Sequence, residues 1–256
     1  ETPHIGEIPA RLVAVPKTAN KPRLIAIEPS YNQFIQQGFQ SKLKSEMSKS
    51  SVWSYHDQVP NQELARIGSI TGDYSTIDLS EASDRVSWGY VQQMFSFNKG
   101  FVRLLSNTRS IYLDVPGYGT RVLHKFASMG SSLTFPVEMM YFTVIIGVAI
   151  GRLLGDYRVG PILRYFRDMR IRVYGDDLIV PNELTQILIQ TLEQFGLKVN
   201  TSKSFWSGGF RESCGADWYN GFSVQPVYLR RWFPDSVLQA TELMSLVSFR
   251  DQLYNR

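Results

Sequence analysis

The order of apolar and polar residues along the chain predicts a mixture of short strands and helices. Two apolar runs, residues 12–15 and 24–27, lie on either side of a polar loop bounded by prolines, which is typical of two strands joined by a loop. Residues 31–49 have a polar, helix-like pattern. The longest apolar run, residues 139–151, contains 13 residues, which is too few to cross a bilayer and therefore predicts a buried helix.

The middle of the chain continues this mixed pattern. A short strand is predicted over residues 75–79, and residues 80–83 supply N-cap side chains for a helix that we expect to continue through Phe95. Turn residues at 116–119 lie between the apolar arms of residues 111–126, and this arrangement predicts a hairpin.

The last third of the chain contains a second hairpin pattern, residues 170–181, with a Gly-Asp-Asp tip between apolar arms. An amphipathic helix over residues 182–195 and a β-type run at 227–229 follow it. The sequence has no internal repeat and no regular βαβ period. Strands that alternate irregularly with helices predict an α+β fold in which helices cover one face of a sheet.

Composition narrows the class of protein without choosing a function. The 256 residues include 27 Lys and Arg against 23 Asp and Glu, for a net charge of +4, and 43% of them are hydrophobic. These values are typical of a globular protein and exclude a disordered or collagen-like chain. The length suits one large domain or two small ones. A net charge this small permits a nucleic-acid partner but requires one only if the charge is clustered.

The few sulfur and imidazole side chains limit the sites that the chain can form. Cys214 is the single cysteine, so an internal disulfide is excluded. With only His4, His56 and His124 beside it, a zinc site is disfavoured, and a metal ion would have to bind to carboxylates. Because the sequence opens without a signal peptide and on Glu1 rather than Met, we expect an intracellular part of a longer protein.

Positive charge is concentrated around the loop between the first two predicted strands. Four basic residues fall within thirteen positions, and no acid occurs between Glu7 and Glu28. These basic residues are Arg11, Lys17, Lys21 and Arg23. Such a cluster either binds phosphate groups or is a solvated loop, and the residues alone leave both interpretations open.

Adjacent acids at a hairpin tip are the strongest sign of chemistry. Asp176 and Asp177 repel each other, and a Mg²⁺ ion, which binds one or two carboxylates together with water and substrate phosphates, would remove that repulsion. A Gly-Asp-Asp triplet also occurs by chance. Asp78 adds evidence because it too ends a short apolar strand, and acids at two adjacent strand ends can bracket two metal ions about 4 Å apart. Asp84 is either a helix N-terminal acid or an acceptor for a sugar hydroxyl.

Five groups of residues, taken in order along the chain, resemble motifs F, A, B, C and D of viral RNA-dependent RNA polymerases. The groups are residues 15–17 with 23–29 for motif F, residues 76–84 for motif A, residues 128–138 for motif B, residues 174–177 for motif C, and residues 200–204 for motif D with 210–215 after it. The similarity extends from Arg11 to Arg231. It is greatest to the catalytic, or beta, subunits of the replicases of positive-strand RNA bacteriophages, the leviviruses.

The resemblance implies a polymerase palm, which is an antiparallel sheet of the RRM-like type backed by helices, with part of the fingers. Residues 1–60 would belong to the fingers and carry the basic strand pair, residues 61–220 would form the palm, and residues 221–256 would lead from the palm to the thumb. Residues 89–126 would form a hairpin insertion close to the fingers. Members of the family extend beyond both ends of this chain, which agrees with the expectation of a longer protein.

The resemblance also implies a role for each candidate residue. Asp78 and Asp176, with Asp177 close by, would hold two Mg²⁺ ions, for which Mn²⁺ can substitute. The residues that would bind the incoming nucleotide are Arg11, Lys17, Lys21, Arg23, Asp84, Ser128, Gly130 and Thr134. Among these, Asp84 would accept a hydrogen bond from the ribose 2′-hydroxyl.

Four further positions carry implications of their own. Lys203 would donate a proton to pyrophosphate as a general acid, with Lys198 as the competing candidate. Glu138 stands where the wider polymerase class has an Asn that helps to hold the ribose, although the phage group tends to carry an acid there. Ser131 stands where Asn is usual in the phage group.

The function implied is that of an RNA-directed RNA polymerase core, which joins nucleotides on an RNA template in the cytoplasm of an infected bacterium. The implied partners are template and nascent RNA, nucleoside triphosphates and, in the whole replicase, host elongation factors Tu and Ts and ribosomal protein S1, with no membrane. A non-catalytic RNA-binding palm module and a reverse transcriptase are the alternatives. The first is disfavoured because a degenerate site has no physical reason to keep repelling acids. Asp84 disfavours the second, because enzymes that use deoxynucleotides usually place a bulky apolar residue there.

Overall fold

The computed structural model describes residues 7–16, 22–50, 52–53 and 55–254. The strands are β1 (Ala10–Pro16), β2 (Pro22–Ile27), β3 (Tyr74–Ile77), β4 (Tyr112–Val115), β5 (Gly119–Val122), β6 (Arg172–Tyr174), β7 (Asp177–Pro181), β8 (Phe210–Ser213), β9 (Ala216–Tyr219) and β10 (Phe222–Ser223). The helices are α1 (Ser30–Met47), α2 (Val59–Thr71), α3 (Ala82–Arg85), α4 (Trp88–Met94), α5 (Lys99–Thr108), α6 (Thr134–Leu154), α7 (Val159–Asp168), α8 (Thr185–Gln194) and α9 (Ala240–Tyr254). A 3-10 turn (Asn182–Leu184) precedes α8.

The sheet that carries the Gly-Asp-Asp hairpin has the strand order β3-β7-β6, and its pairs are antiparallel. In β7, Ile179 packs against Leu64 and Ala65 of α2, whereas Leu178 and Val180 join the main core together with residues of α6 and α8. The antiparallel sheet backed by helices is therefore confirmed. The expectation of helices on one face only is wrong, because the central strand is apolar on both of its alternating faces.

The 21-residue helix α6 is the main apolar element of the core. Its length and composition would allow it to cross a membrane, but more than half of its apolar window is buried inside the protein. It packs against α7, α8 and β6, and Met139, Phe142 and Ile146 are fully buried. The apolar run at 139–151 thus forms a buried core helix, as predicted.

The basic strand pair and the hairpin at 111–126 lie in one sheet with the order β2-β1-β4-β5. β1 and β2 are antiparallel, β4 and β5 are antiparallel, and β1 joins the two hairpins by pairing with β4 in parallel. Ala10, Ala26 and Leu113 form a small core on this sheet. The predicted pair of strands at residues 12–15 and 24–27 and the predicted hairpin at residues 111–126 are both confirmed.

The helix predicted to continue through Phe95 is divided into α3 and α4. Val86 has an extended backbone between the two helices, and its carbonyl accepts a hydrogen bond of 2.7 Å from the N–H of Phe126. The N–H of Trp88 likewise donates to the carbonyl of His124 at 3.2 Å. The prediction of one continuous helix is wrong because the chain pairs here with residues 124–126 instead.

The predicted strand at residues 227–229 is also absent from the described structure. The N–H of Tyr228 donates to Oε1 of Gln252 in α9 at 3.1 Å, so a side chain takes the place of a strand partner. The third sheet, β10-β9-β8, ends earlier in the sequence and packs on α2 through Trp218. None of the described residues of α9 is buried.

Candidate active site

Two strand ends bring the predicted carboxylates together. β3 and β7 pair with Ile77 opposite Leu178, so the next pair of positions places Asp78 beside Asp177. β6 and β7 form the predicted hairpin, in which Tyr174 pairs with Asp177 across a tip that contains Asp176. We call Asp78, Asp176 and Asp177 the carboxylate cluster. The expected arrangement of strand-end acids on adjacent strands is present.

The hairpin tip requires glycine at position 175. Gly175 has φ of +58°, a conformation that favours glycine. A Cβ atom at this position would lie 2.7 Å from Cε2 of Phe135, a residue of α6. The ring of Phe135 also contacts the ring of Tyr174 edge to face, with centroids 5.2 Å apart. The core helix therefore fixes the position of the tip.

Asp78 is held by the segment that follows α8. Nδ2 of Asn200 donates to Oδ2 of Asp78 at 2.8 Å, and the N–H of Asn200 donates to the Asp78 carbonyl at 2.9 Å. The N–H of Asp78 donates to Oγ of Ser204 at 3.0 Å. Sequence reasoning missed Asn200 and Ser204 as partners of Asp78. The only signal in the sequence is the polar run at residues 200–204, which also contains the candidate general acid Lys203.

Asp177, at the start of β7, lies close to the turn of the β8–β9 hairpin. Burial and the charge of Asp176 raise the pKa of Asp177 to about 7, Glu212 and Asp78 add to the rise, and a hydrogen bond from the main-chain N–H of Cys214 opposes it. Cys214 lies at the turn between β8 and β9. Several acids thus converge on one partly buried position, where a cation would relieve their repulsion.

The carboxylate cluster has the donor chemistry that Mg²⁺ prefers. The described residues contain no ready-made group of three or more His, Cys, Asp or Glu side chains in a metal-binding arrangement. Mg²⁺ does not need one, because it is usually bound by one or two carboxylates, with water and substrate phosphates completing its coordination. The excess of negative charge around Asp177 also fits a site for a divalent cation.

Asp84 and Glu138 border the cluster on the side of α6. Asp84 forms an ion pair with Nζ of Lys125, a partner that was not predicted from the sequence. Glu138 is only 7% exposed. Burial, and then the charges of Asp176 and Asp84, raise the pKa of Glu138 well above its ordinary value.

The motif B loop, residues 128–132, is fixed by a close main-chain contact. The N–H of Ala26 in β2 donates to the carbonyl of Met129 at 2.8 Å. Gly130 has φ of +117°, and a Cβ atom there would lie 2.1 Å from the carbonyl oxygen of Ala26, so only glycine fits. Oγ1 of Thr134 donates to the Ser128 carbonyl at 2.9 Å. The Ser128 hydroxyl is buried without a hydrogen-bond partner among the described residues.

The basic cluster is more spread out than the sequence indicated. Lys17 and Lys21 lie outside the described residues. Arg11 and Arg23 are exposed on β1 and β2, where Arg23 pairs with Val15. Arg11 is therefore four residues, or about 13 Å, along the strand from the position of Arg23. The expectation of four cations in one loop is wrong, because Arg11 and Arg23 are both strand residues, and of these two only Arg23 lies near the loop.

The two candidate general acids lie on the same segment. Burial raises the pKa of both Glu212 and Asp217, and the charge of Asp217 raises that of Glu212 further. The charge of Lys203 lowers the pKa of both groups. Lys203 is thus near the acids of the β8–β9 hairpin, which contacts Asp177. Lys198 is exposed, and its carbonyl accepts from the N–H of Ser80 at 2.8 Å. The role of either lysine stays a prediction.

Curated relatives of the chain are phage polymerases. It is 35% identical over 221 residues to the RNA-directed RNA polymerase subunit beta of Enterobacteria phage SP, covering 86% of this chain and 36% of that one. It is 33% identical to the subunit beta of Qbeta virus strain MX1, covering 86% and 35%, and 33% identical to the beta chain of Escherichia phage MS2, covering 85% and 37%. The chain therefore spans little more than a third of the length of these relatives.

Solved structures show the same fold at low sequence identity. An insertion-loop deletion mutant of a human picobirnavirus RNA-dependent RNA polymerase matches with a TM-score of 0.60 and 13% identity, covering 94% of this chain and 53% of that one. The BmCPV RNA-dependent RNA polymerase at elongation state matches with a TM-score of 0.58 and 11% identity, covering 84% and 22%. A family model described as RNA replicase, beta-chain, matches residues 7–248. By sequence, the chain belongs to the RNA replicase beta-chain family.

Proposed function

We propose that this chain carries the nucleotidyl-transfer centre of an RNA-directed RNA polymerase that copies phage RNA from ribonucleoside triphosphates. The observation that supports the proposal best is that Asp78 and Asp177 lie side by side at the ends of the adjacent strands β3 and β7. Asp176 lies next to them, at the tip of the β6–β7 hairpin. Family membership supports the same reaction. Because the chain covers only 36% and 35% of the length of these relatives, the activity of the whole protein is part of the proposal.

The carboxylate cluster would hold two Mg²⁺ ions, or Mn²⁺ in their place. Bound ions supply a Lewis acid that lowers the pKa of the attacking 3′-hydroxyl and neutralises charge on the leaving pyrophosphate. The protein's own contribution is to orient the carboxylates. The amide of Asn200 fixes one oxygen of Asp78, and the N–H of Cys214 fixes the carboxylate of Asp177.

The surrounding residues would bind and orient the nucleotide. Arg23, with Lys17, Lys21 and Arg11, would attract the triphosphate. Asp84 would accept from the ribose 2′-hydroxyl, while Ser128, Gly130 and Thr134 would shape the contact with the nascent base pair. Lys203, or Lys198 in its place, would donate a proton to pyrophosphate.

The partners in the host are also proposed from the family. Template and nascent RNA and nucleoside triphosphates are the substrates that the reaction needs. In the whole replicase we expect host elongation factors Tu and Ts and ribosomal protein S1 as further subunits, and the cytoplasm of the infected bacterium as the place of action. These assignments rest on the resemblance to phage replicases.

Primer extension on an RNA template tests the proposal against its two alternatives. Asp176→Asn should reduce Mg²⁺-dependent extension with ribonucleotides by at least about 100-fold, because it removes a charge that the proposed metal site needs. The matched control is Asp73→Asn, which neutralises an exposed acid next to the other end of β3 and should leave the rate unchanged. Unchanged extension by Asp176→Asn would contradict the metal assignment.

The same assay separates the alternatives. A reverse transcriptase would extend with deoxynucleotides at least as well as with ribonucleotides. A non-catalytic module would bind RNA but extend no primer with either set of nucleotides. A preference for ribonucleotides that persists in Asp84→Ala would remove the proposed role of Asp84.

A further inference from the structure

Helix α1 turns polar residues inward and aromatic residues outward. Asn32 and Gln36 are buried, whereas Tyr31 and Phe34 are 51% and 79% exposed. A surface helix normally buries its apolar face, and a buried polar side chain lowers stability unless it is hydrogen-bonded. The inward face of α1 must therefore make specific hydrogen bonds, and the partners in those bonds show which parts of the chain the helix positions.

Gln36 connects α1 to two other parts of the chain. Its side chain is fully buried. Nε2 donates to the carbonyl of Thr108, the last residue of α5, at 2.7 Å. Oε1 accepts from Oγ of Ser131 and from the N–H of Ser132, each at 3.1 Å. One amide group thus satisfies two donors of the motif B loop and anchors them to α5.

A second glutamine strengthens the attachment of the loop. Nε2 of Gln33 donates to Oγ of Ser132 at 2.8 Å. On the other side of the loop, Met129 is bonded to Ala26 of β2, three residues from Arg23. The motif B loop is consequently held from α1 by side chains and from β2 by its main chain.

We propose that Gln36 is a positioning residue for the incoming nucleotide. It fixes the conformation of the motif B loop, and it keeps the loop in register with β2, which carries Arg23. This role deepens the proposed function and rests on it. Gln36 is fully buried against the loop, α5 and Glu28, so it acts through the loop and not on the substrate.

Hydrogen exchange tests the attachment without requiring any activity. Gln36→Met removes the acceptor of the Ser132 N–H, so the exchange of that amide should become at least about ten-fold faster, by the loss of one buried hydrogen bond. The matched control is Gln40→Met, which lies one turn further along the same face and bonds Tyr55 at 3.3 Å. That variant should leave the Ser132 amide unchanged. Equal protection of Ser132 in Gln36→Met and in the unmodified chain would overturn the proposal.

Nucleotide binding tests the consequence. The dissociation constant for ATP labelled on its γ-phosphate should rise about five-fold in Gln36→Met, and KM should rise with little change in kcat, because the loop is displaced from the nucleotide. Ser131→Ala removes one of the two loop donors to Gln36 and should give a weaker effect in the same direction. A purely structural role would lower thermal stability in Gln36→Met without changing nucleotide binding, so an unchanged dissociation constant would overturn the positioning role.

Failure of the proposed function is distinguishable from failure of this proposal. An unmodified chain that extends primers while Gln36→Met binds nucleotide normally would contradict the role of Gln36 alone. An unmodified chain that neither binds nucleotide nor extends a primer would overturn the proposed function, and with it the nucleotide role of Gln36.

Discussion

The carboxylate cluster and the motif B loop belong to one site but are positioned by different forces. Main-chain pairing of β3 with β7 places Asp78 beside Asp177. The motif B loop has no such ladder, and its position depends on the side chain of Gln36 and on the space left by Gly130. A ladder tolerates many side chains, whereas a loop held by particular residues does not. Single substitutions should therefore displace the loop more easily than the cluster.

The largest expected effect is that of Gly130→Ala. The new Cβ would lie 2.1 Å from a main-chain oxygen of β2, and neither partner is a flexible side chain, so we expect a loss of about 2–4 kcal/mol in the free energy of unfolding. Gly119→Ala is the control, because Gly119 also has positive φ but has nothing within 4 Å. It should cost only about 1 kcal/mol. Urea denaturation measures both, and equal losses would show that the contact with Ala26 is unimportant.

Asn200→Ala should affect the cluster without moving its main chain. It removes the amide that donates to Oδ2 of Asp78, and hydrogen bonds to charged groups contribute about 1.5–3 kcal/mol. We expect extension to slow about ten-fold or more while the strand pairing of β3 is preserved. The control is Asn107→Ala at an exposed position of α5. Single-nucleotide extension measures the difference, and a full rate in Asn200→Ala would show that the ladder alone orients Asp78.

Glu138→Gln should make stability less dependent on pH. The pKa of Glu138 is raised above its ordinary value of 4.5 by burial and by Asp176 and Asp84, so the folded protein binds this proton more tightly than the unfolded chain. The free energy of unfolding therefore falls as pH rises from 4.5 through the raised pKa. Gln cannot ionise, so the variant should lose less stability over that range.

Denaturation in metal-free buffer at a series of pH values measures this difference. Glu193→Gln, at an exposed position of α8, controls for the loss of one charge and should follow the unmodified chain. A Glu138→Gln variant whose stability falls just as steeply would place the pH dependence on other groups, of which Asp177 is the next in the site.

The smallest expected effect is that of Lys125→Met. This change removes the ion pair with Asp84, in which the Lys125 side chain is 22% exposed, and should lower the free energy of unfolding by less than about 1 kcal/mol. Lys42→Met removes a pair with Glu46 in which the lysine is 75% exposed, and its effect should be smaller still. Denaturation at low and high salt compares the two, and a greater loss in Lys42→Met would contradict the expected dependence on burial.

The elements that are determined by residues close together in the sequence were predictable. The basic strand pair, both hairpins and the buried helix follow from apolar periodicity and turn residues, and so does the presence of acids at two strand ends. The division between α3 and α4 was not predictable, because Val86 leaves the helix to bond Phe126, forty residues away. Local propensity contains no information about such a partner.

The side-chain hydrogen-bond partners of the site residues could not be predicted from the sequence for the same reason. Asn200 meets Asp78 across 122 residues of sequence, and Gln36 meets Ser132 across 96. In a single sequence each is an ordinary polar residue, and only the folded arrangement shows its role. The resemblance identified Asp78 and Asp176 as candidate metal ligands, but it did not identify Asn200, which donates a hydrogen bond to Asp78.

The pairing of β3 with β7 also limits how this site can change over evolution. Because side chains alternate between the faces of a strand, a shift of one residue in either strand would turn its carboxylate to the opposite face, and only a shift of two would return it, about 7 Å away. The spacing between the two acids can therefore change only in coarse steps. A one-residue deletion in β7 should abolish the site, whereas a deletion in the exposed turn between β4 and β5 should be accommodated, and lineages should accumulate length changes at the second place and not at the first.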